Sequence, residues 1–424
     1  MITIVGAGLA GLSAAYHMKT GYTLLERDKE VGGLCKSTNI KGYTFDYAPH
    51  ILFTRNPYTR ELFHSLLGEN LQTHTRRAYI YMKDTYVKYP FEANLHPLPE
   101  TIKEECIQGV LERPDMEPSN FMEWIQATMG SGIAKYYMVP YNEKIWKYPL
   151  ESMNTEWIAG RVPAPSVEEM RKGAEAPQPI DYGPNAEFLY PKHGGIGALA
   201  NSLAENMSVR LGAEAAWFNP TSKGIETLYV EDDVEKSVES EKVMSSLPLP
   251  ETVHMMDDVP DEVQAAADSL VYNSLVCVMV GVDRPNIIDK HWLYYPEKDL
   301  IFNRISFPMN FSSYTTPAGK SSVLVEVTYR DKKMDLEETK KRVQEDLVKA
   351  DLLTEDDKID VCMAKDFKYA YVIYDLYHRK NVKVIHDYLI AHNIVPIGRF
   401  GEWEYYNMDK AILSGKNAVE NINT

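Results

Sequence analysis

Gly6-Ala7-Gly8-Leu9-Ala10-Gly11 constrains this chain more than any other stretch, because of what stands on either side of it. The apolar run Ile2–Val5 stops directly at Gly6 and predicts a short buried parallel strand. Leu9 to Lys19 is rich in Ala and Leu and predicts a helix ending near Gly21, and Tyr22–Glu26 predicts the next strand. A short glycine pattern alone arises easily by chance. Here it follows a strand, opens a helix, and is answered by an acidic residue, Glu26, twenty positions beyond Gly6. Gly6 then allows the tight turn, Gly8 lets backbone approach a pyrophosphate, and Gly11 brings helix and sheet together. The first N–H groups of the helix, around Leu9 and Ala10, and the helix dipole favour anionic phosphates. Glu26 is placed to accept hydrogen bonds from ribose hydroxyls. A dinucleotide site is the expectation.

With 424 residues the chain is too long for one core and suggests two or three domains. A net charge of −16 excludes nucleic acid and anionic membrane as expected partners, and it demands locally placed arginines if a ligand carries phosphate. Cys35, Cys106, Cys277 and Cys362 stand singly, without metal-ligand spacing, and read as reduced thiols of a cytoplasmic protein. The eleven histidines are scattered, so no metal site is expected. The longest apolar stretch, around Ser274–Val282, is far too short to span a membrane. Texture changes along the chain. Leu98 to Leu111, Asn120 to Met129 and Gly132 to Met138 carry helical spacing. Proline-rich connections follow at 162–165 and 176–179, and the pattern from about Leu270 to Val327 is mostly β. Leu336 to Leu353 predicts a charged helix with Leu336, Val343 and Leu347 on one stripe, and Asp409 to Ile422 a last helix.

The run Glu26-Arg27-Asp28-Lys29-Glu30-Val31-Gly32-Gly33-Leu34 resembles the second signature of glutathione-reductase-type and amine-oxidase-type FAD folds, where a diglycine turn passes beside the cofactor. The resemblance implies FAD, with Arg27, Gly32, Gly33 and Leu34 joining Gly6, Gly8, Leu9, Ala10, Gly11 and Glu26 around it. Further along, Gly42 to Phe53 with its His50, Tyr89-Pro90-Phe91, Pro140 to Trp146, Gly160-Arg161-Val162, Gly183-Pro184-Asn185-Ala186, His291-Trp292-Leu293-Tyr294, Phe302-Asn303-Arg304 and Gly398 to Trp403 resemble, in order, segments of the UDP-galactopyranose mutases, most closely the eukaryotic-type ones.

That resemblance implies an α/β fold. A Rossmann-like FAD domain would be assembled from 1–92, 185–270 and 385–424, with a helical insert over 93–184 and an antiparallel sheet substrate domain over 271–384. In these mutases N5 of reduced FAD attacks the anomeric carbon of a nucleotide-diphosphate sugar and expels the diphosphate; the ring opens and recloses as a furanose without net redox change. NAD(P)H is a candidate reductant, and a homo-oligomer is compatible with this reading. His50, Arg161 and Arg304 would be catalytic, the arginines gripping the leaving diphosphate. Tyr294, Tyr371 and Tyr405 or Tyr406 would hydrogen-bond it, Tyr89 would lie near the base, and Asn185 would hold a sugar or phosphate oxygen. Arg399, Asn407, Met408 and Asp409 would meet the isoalloxazine at the start of the last helix. Trp292 and Tyr294 alternate along a strand, so one of the two is expected to face the core.

Three positions depart from the mutase pattern. Glu92 stands where those enzymes typically have Gln, Glu404 where they have Arg, and Met408 where they have Gln. Tyr369 to Arg379 also resembles protoporphyrinogen-oxidase-like and amine-oxidase-like proteins, which makes an FAD oxidoreductase acting by hydride transfer the alternative reading.

Overall fold

The computed structural model describes residues 1–19, 21–178 and 186–423. Ile2–Val5 is the middle strand of a five-stranded parallel sheet ordered Ile394–Pro396, Lys242–Ser245, Ile2–Val5, Tyr22–Glu26, Val209–Leu211. Strands buried on both faces need continuous apolar runs, which is what Ile2–Val5 provides. The expected helix spans Leu9–Met18. It can lie against the sheet only because residue 11 is glycine: a Cβ there would stand 1.9 Å from the Gly6 carbonyl oxygen. Its other flank meets the last helix, Met408–Asn423, where Ser13 Oγ donates to the Ile412 carbonyl at 2.6 Å.

The second large element is a seven-stranded sheet. Its order is Ile359–Val372, Tyr272–Val282, Ser321–Tyr329, Arg304–Ser306, Trp292–Tyr294, Ala78–Met82, Thr85–Lys88. The sheet is mixed rather than purely antiparallel. It recruits the hairpin 78–88 from the stretch assigned by sequence to the FAD domain, and that hairpin joins Trp292–Tyr294 in parallel register. The second strand, Tyr272–Val282, is buried along nearly its whole length, which explains the absence of polar alternation in its sequence.

Between these sheets the chain folds as helices: Glu100–Leu111, Phe121–Ile133, a wider helical turn Ala134–Met138, Val139–Trp146 and Val167–Glu175. Asn120 opens the second of them, its Oδ1 accepting the Glu123 N–H at 2.9 Å. The charged helix near residue 340 spans Leu336–Lys349 and buries Val343 and Leu347, as its stripe predicts. All four cysteines are free. Among the described residues no His/Cys/Asp/Glu cluster could hold a metal ion, and no helix is long and apolar enough to cross a membrane.

Candidate active site

One cavity of about 1050 Å³ runs from the Gly6 turn to the seven-stranded sheet. At its first end Gly6, Gly8, Leu9, Ala10, Glu26, Arg27, Gly32, Gly33 and Leu34 all line the wall. Glu26 is buried, and its two carboxylate oxygens accept the Ala7 N–H at 2.7 Å and the Asp28 N–H at 2.9 Å. A carboxylate has about four acceptor positions, so room remains for ribose hydroxyls. The diglycine turn folds back on the first turn: the Gly32 N–H donates to the Ala7 carbonyl at 2.8 Å. Gly33, at φ +57°, lies so close that a Cβ there would sit 3.2 Å from the Gly8 Cα. Backbone bare of side chains on both sides of the helix N-terminus forms a cradle for a pyrophosphate. Gly11 stands behind it, in the helix–sheet contact, rather than in the wall.

The far end gathers residues from five separate segments. His50 sits on the loop after Tyr43–Asp46, with Nδ1 2.8 Å from the Ala48 carbonyl, so Nδ1 carries the proton and Nε2 is left as an acceptor. Burial lowers its pKa to about 4, helped by the nearby Arg399 and Arg304 charges, so the imidazole is neutral at physiological pH. Arg304, on a short strand, is clamped by the fully buried Glu326: Nη2 donates to Oε1 at 2.8 Å and Nε to the other oxygen. Its Nη2 also reaches the Tyr371 hydroxyl at 3.5 Å.

Arg161 comes from the connection between the insert helices Val139–Trp146 and Val167–Glu175. Its Nη1 donates to the Trp157 carbonyl at 3.0 Å and its Nη2 to that of Tyr405. Arg399 donates to the Tyr406 and Ala370 carbonyls at 2.7 and 2.9 Å. Both guanidiniums lie by the Tyr405 ring, at 4.8 and 4.7 Å from its centroid. Burial, with Arg161 adding to it, pushes the Arg399 pKa below the ordinary arginine value. The Nε atoms of Arg161 and Arg399 and the indole nitrogen of Trp292 are buried and have no partner among the described residues.

Tyr89, Tyr294, Tyr371, Tyr405, Tyr406, Asn407 and Met408 also line the cavity. Trp292 and Tyr294 share its wall, and Trp292 is also buried in the core cluster against Phe188 and Phe311, while Tyr294 is half-buried. Residues two apart on a strand point the same way, and Leu293 between them is the one turned into the apolar cluster behind. Asp409 does not reach the wall; its carboxylate accepts the Thr54 hydroxyl at 2.9 Å. Asn185 lies outside the described residues. Glu404 turns away from the cavity, bonded to the Tyr374 hydroxyl and to Arg379. Several wall residues had no sequence signal of their own: Arg76, whose guanidinium lies 4.7 Å from the Tyr89 ring centroid, Tyr137, Trp157 and Glu326. Each is an ordinary residue within an ordinary helix, strand or loop, and only the tertiary fold brings it here.

Residues 9–423 match the family model for flavin containing amine oxidoreductases. The chain belongs to that family. The family implies FAD, and the cradle and the half-committed Glu26 suit a dinucleotide. The fold is similar to that of a reduced UDP-galactopyranose mutase, at 26% identity and a TM-score of 0.93 over all of this chain and 93% of that one. It is also similar to a protein described as a protoporphyrinogen oxidase from Exiguobacterium sp. 255-15 (18% identity, TM-score 0.77, 99% of this chain and 98% of that one). A fatty acid isomerase from P. acnes is a further relative in fold (13% identity, TM-score 0.67, 100% and 98%). At these lower identities the likeness is one of fold alone. An uncharacterized protein from the nifH2 3′ region of Methanothermococcus thermolithotrophicus is 47% identical over 66 residues, which are 14% of this chain and 64%, under two thirds, of that one.

Proposed function

We propose that this flavoenzyme is a nucleotide-sugar mutase of the UDP-galactopyranose mutase type, interconverting the pyranose and furanose forms of a UDP-sugar without net redox change. The observation that carries the reading is the convergence of the Arg161, Arg304 and Arg399 side chains on the cavity that also holds the dinucleotide cradle. Backbone carbonyls hold Arg161 and Arg399, and Glu326 holds Arg304, so their positive charge is fixed where diphosphate charge develops and needs little reorganisation. The likeness to the reduced mutase supports the same reading.

FAD, when bound and reduced, supplies the nucleophile for exchange at the anomeric carbon. Arg161, Arg304 and Arg399 neutralise the departing diphosphate, with Tyr294, Tyr371 and Tyr405 supplying further hydrogen bonds. The Glu326 clamp leaves Arg304 one free edge and fixes its direction. His50, neutral and anchored through Nδ1–H, presents Nε2 as a proton acceptor. Aromatic walls keep water from the reacting carbon. The tyrosine-rich lining would also suit hydride transfer from an apolar substrate, which keeps the oxidoreductase reading as the alternative, but three guanidiniums in the wall disfavour an apolar or cationic substrate at that end.

The test is anaerobic. Holoprotein reduced with dithionite or NAD(P)H, given UDP-galactopyranose, is expected to yield furanose by NMR, and the oxidised form none. Turnover by fully oxidised protein, or hydride transfer without isomerisation, would remove the mutase assignment.

A further inference from the structure

Two of the three cavity arginines are held by consecutive peptides of one loop. The Tyr405 carbonyl accepts from Arg161 Nη2, and the Tyr406 carbonyl accepts from Arg399 Nη1 at 2.7 Å. The placing of these two charges therefore follows the direction of two neighbouring carbonyls, and each peptide needs an anchor outside the loop.

On the Arg161 side the Tyr405 N–H donates to the Tyr374 hydroxyl at 3.0 Å. On the Arg399 side the anchor is Glu402, which is half-buried and stands outside the cavity wall. One of its carboxylate oxygens accepts the Tyr406 hydroxyl at 2.6 Å, and the other accepts the Ser414 hydroxyl. Ser414 belongs to the last helix, Met408–Asn423, and its oxygen accepts the Gly398 N–H at 2.7 Å. One acid thus joins three things: the residue before Arg399, the residue whose carbonyl holds Arg399, and the helix whose first residue, Met408, lines the cavity. Among the described residues no cation stands against Glu402, and the nearest charge, Glu404, repels it. Its contribution is the pair of hydroxyl bonds and not an ion pair.

The chain between Arg399 and Tyr406 is under strain. Trp403 is fully buried at φ +56°, a left-handed conformation that a bulky side chain keeps only where its surroundings enforce it. His378 Nε2 donates to its carbonyl at 2.9 Å, and its ring lies edge-on to Tyr272 and Tyr369. This reversal returns the chain so that Tyr406 meets Arg399. The Glu402 bonds close it on the far side of the turn.

We propose that Glu402 is a positioning residue for Arg399, fixing the Tyr406 carbonyl through the Tyr406 and Ser414 hydroxyls and so setting the direction in which the guanidinium meets an anionic ligand. This rests on the nucleotide-sugar reading, in which that ligand is a diphosphate. Glu402 itself does not touch the ligand, so its effect on binding passes through Arg399.

The test is calorimetric titration of the FAD-bound protein with UDP, arranged as a double-mutant cycle. Glu402→Ala is expected to weaken affinity about tenfold, the scale of one hydrogen bond to a charged group. Tyr406→Phe keeps the acid and breaks the same link from its other end, and a similar loss is expected. Arg399→Ala weakens binding by itself, and adding Glu402→Ala to it is expected to cost nothing more. Flavin absorbance of each purified variant reports an intact fold. A general loosening of the fold would lower affinity by the same factor with or without Arg399, and that result would overturn the proposal. Wild-type affinity in Glu402→Ala or in Tyr406→Phe would overturn it too. Either outcome leaves the nucleotide-sugar reading standing, whereas wild-type protein with no affinity for UDP would sink both.

Discussion

At the Gly6–Leu34 end of the cavity the polar groups belong to one short stretch of chain and satisfy one another. At the Arg161–Arg304–Arg399 end they come from segments far apart in sequence and gather positive charge on the wall. Glu26, Ala7, Asp28 and Gly32 close their bonds locally, with backbone N–H groups as the donors. Across the cavity, three guanidiniums are held by carbonyls and a carboxylate drawn from the insert, the large sheet and the C-terminal loop. The first arrangement depends on backbone shape and is intolerant of added atoms. The second depends on stored charge: burying an ion costs several kcal/mol unless it is paired, and that cost is met by distant parts of the fold. A change at the first end should abolish cofactor binding, whereas a change at the second should abolish chemistry and leave the cofactor in place.

The sharpest way to break this contrast is Gly11→Val. A Cβ at 1.9 Å from the Gly6 oxygen forces the helix Leu9–Met18 off the sheet and the cradle with it. The purified variant is expected to be colourless, with no flavin absorbance, while Arg161→Ala purifies yellow with a full complement. Stoichiometric flavin in Gly11→Val would show that the cradle does not depend on this contact.

Arg304→Ala comes next. It should retain FAD and lower turnover in the proposed reaction by about a thousandfold, as removal of a preorganised donor does. It also strands Glu326, which is 0% exposed, at an expected cost of about 3–5 kcal/mol. Adding Glu326→Gln should recover much of that stability and none of the turnover. Thermal denaturation and kinetics of the two variants separate structural from chemical contributions. Recovery of turnover in the double variant would make Arg304 a positioning residue only.

The same contrast explains what could be read from the sequence. The nucleotide cradle was legible because strand, glycine turn, helix and acid fall within thirty residues, and their spacing carries the geometry. The mixed fold, the helical insert and the β-rich stretch followed from periodicity. The extent of the large sheet did not, because the hairpin 78–88 joins it by a parallel pairing with a strand more than two hundred residues away. Arg161 and Arg304 were visible only through a family resemblance, since a lone arginine carries no local signal. Glu326 and Trp157, which hold them, were not visible at all: an acid in a strand and a carbonyl in a turn look like any other until the chain has folded. A strand period of two places Trp292 and Tyr294 on one face, and only the fold decides that the first packs into the core cluster while the second stays half-buried at the cavity.

The smallest expected effect lies behind Arg161. Its Nη2 holds the Tyr405 carbonyl and its Nη1 that of Trp157; the Tyr405 N–H donates to the Tyr374 hydroxyl at 3.0 Å, which bonds Glu404. Glu404 pairs with Arg379, and Arg379 with Glu156, the neighbour of Trp157, so the bonds close a ring through insert, sheet edge and C-terminal loop. Arg379 and Glu156 are each about half exposed, and ion pairs so placed contribute at most about 1 kcal/mol. Arg379→Ala should therefore raise KM by less than about tenfold at low salt and leave kcat unchanged. High salt should raise the wild-type KM toward that of the variant, because screening weakens the same pairs. Glu404→Ala should do more, since Tyr374 is buried and loses the acceptor for its hydroxyl proton. A kcat loss in Arg379→Ala, or a KM indifferent to salt in wild type, would mean that the ring does not position Arg161 and that the arginine end is held from within the cavity alone.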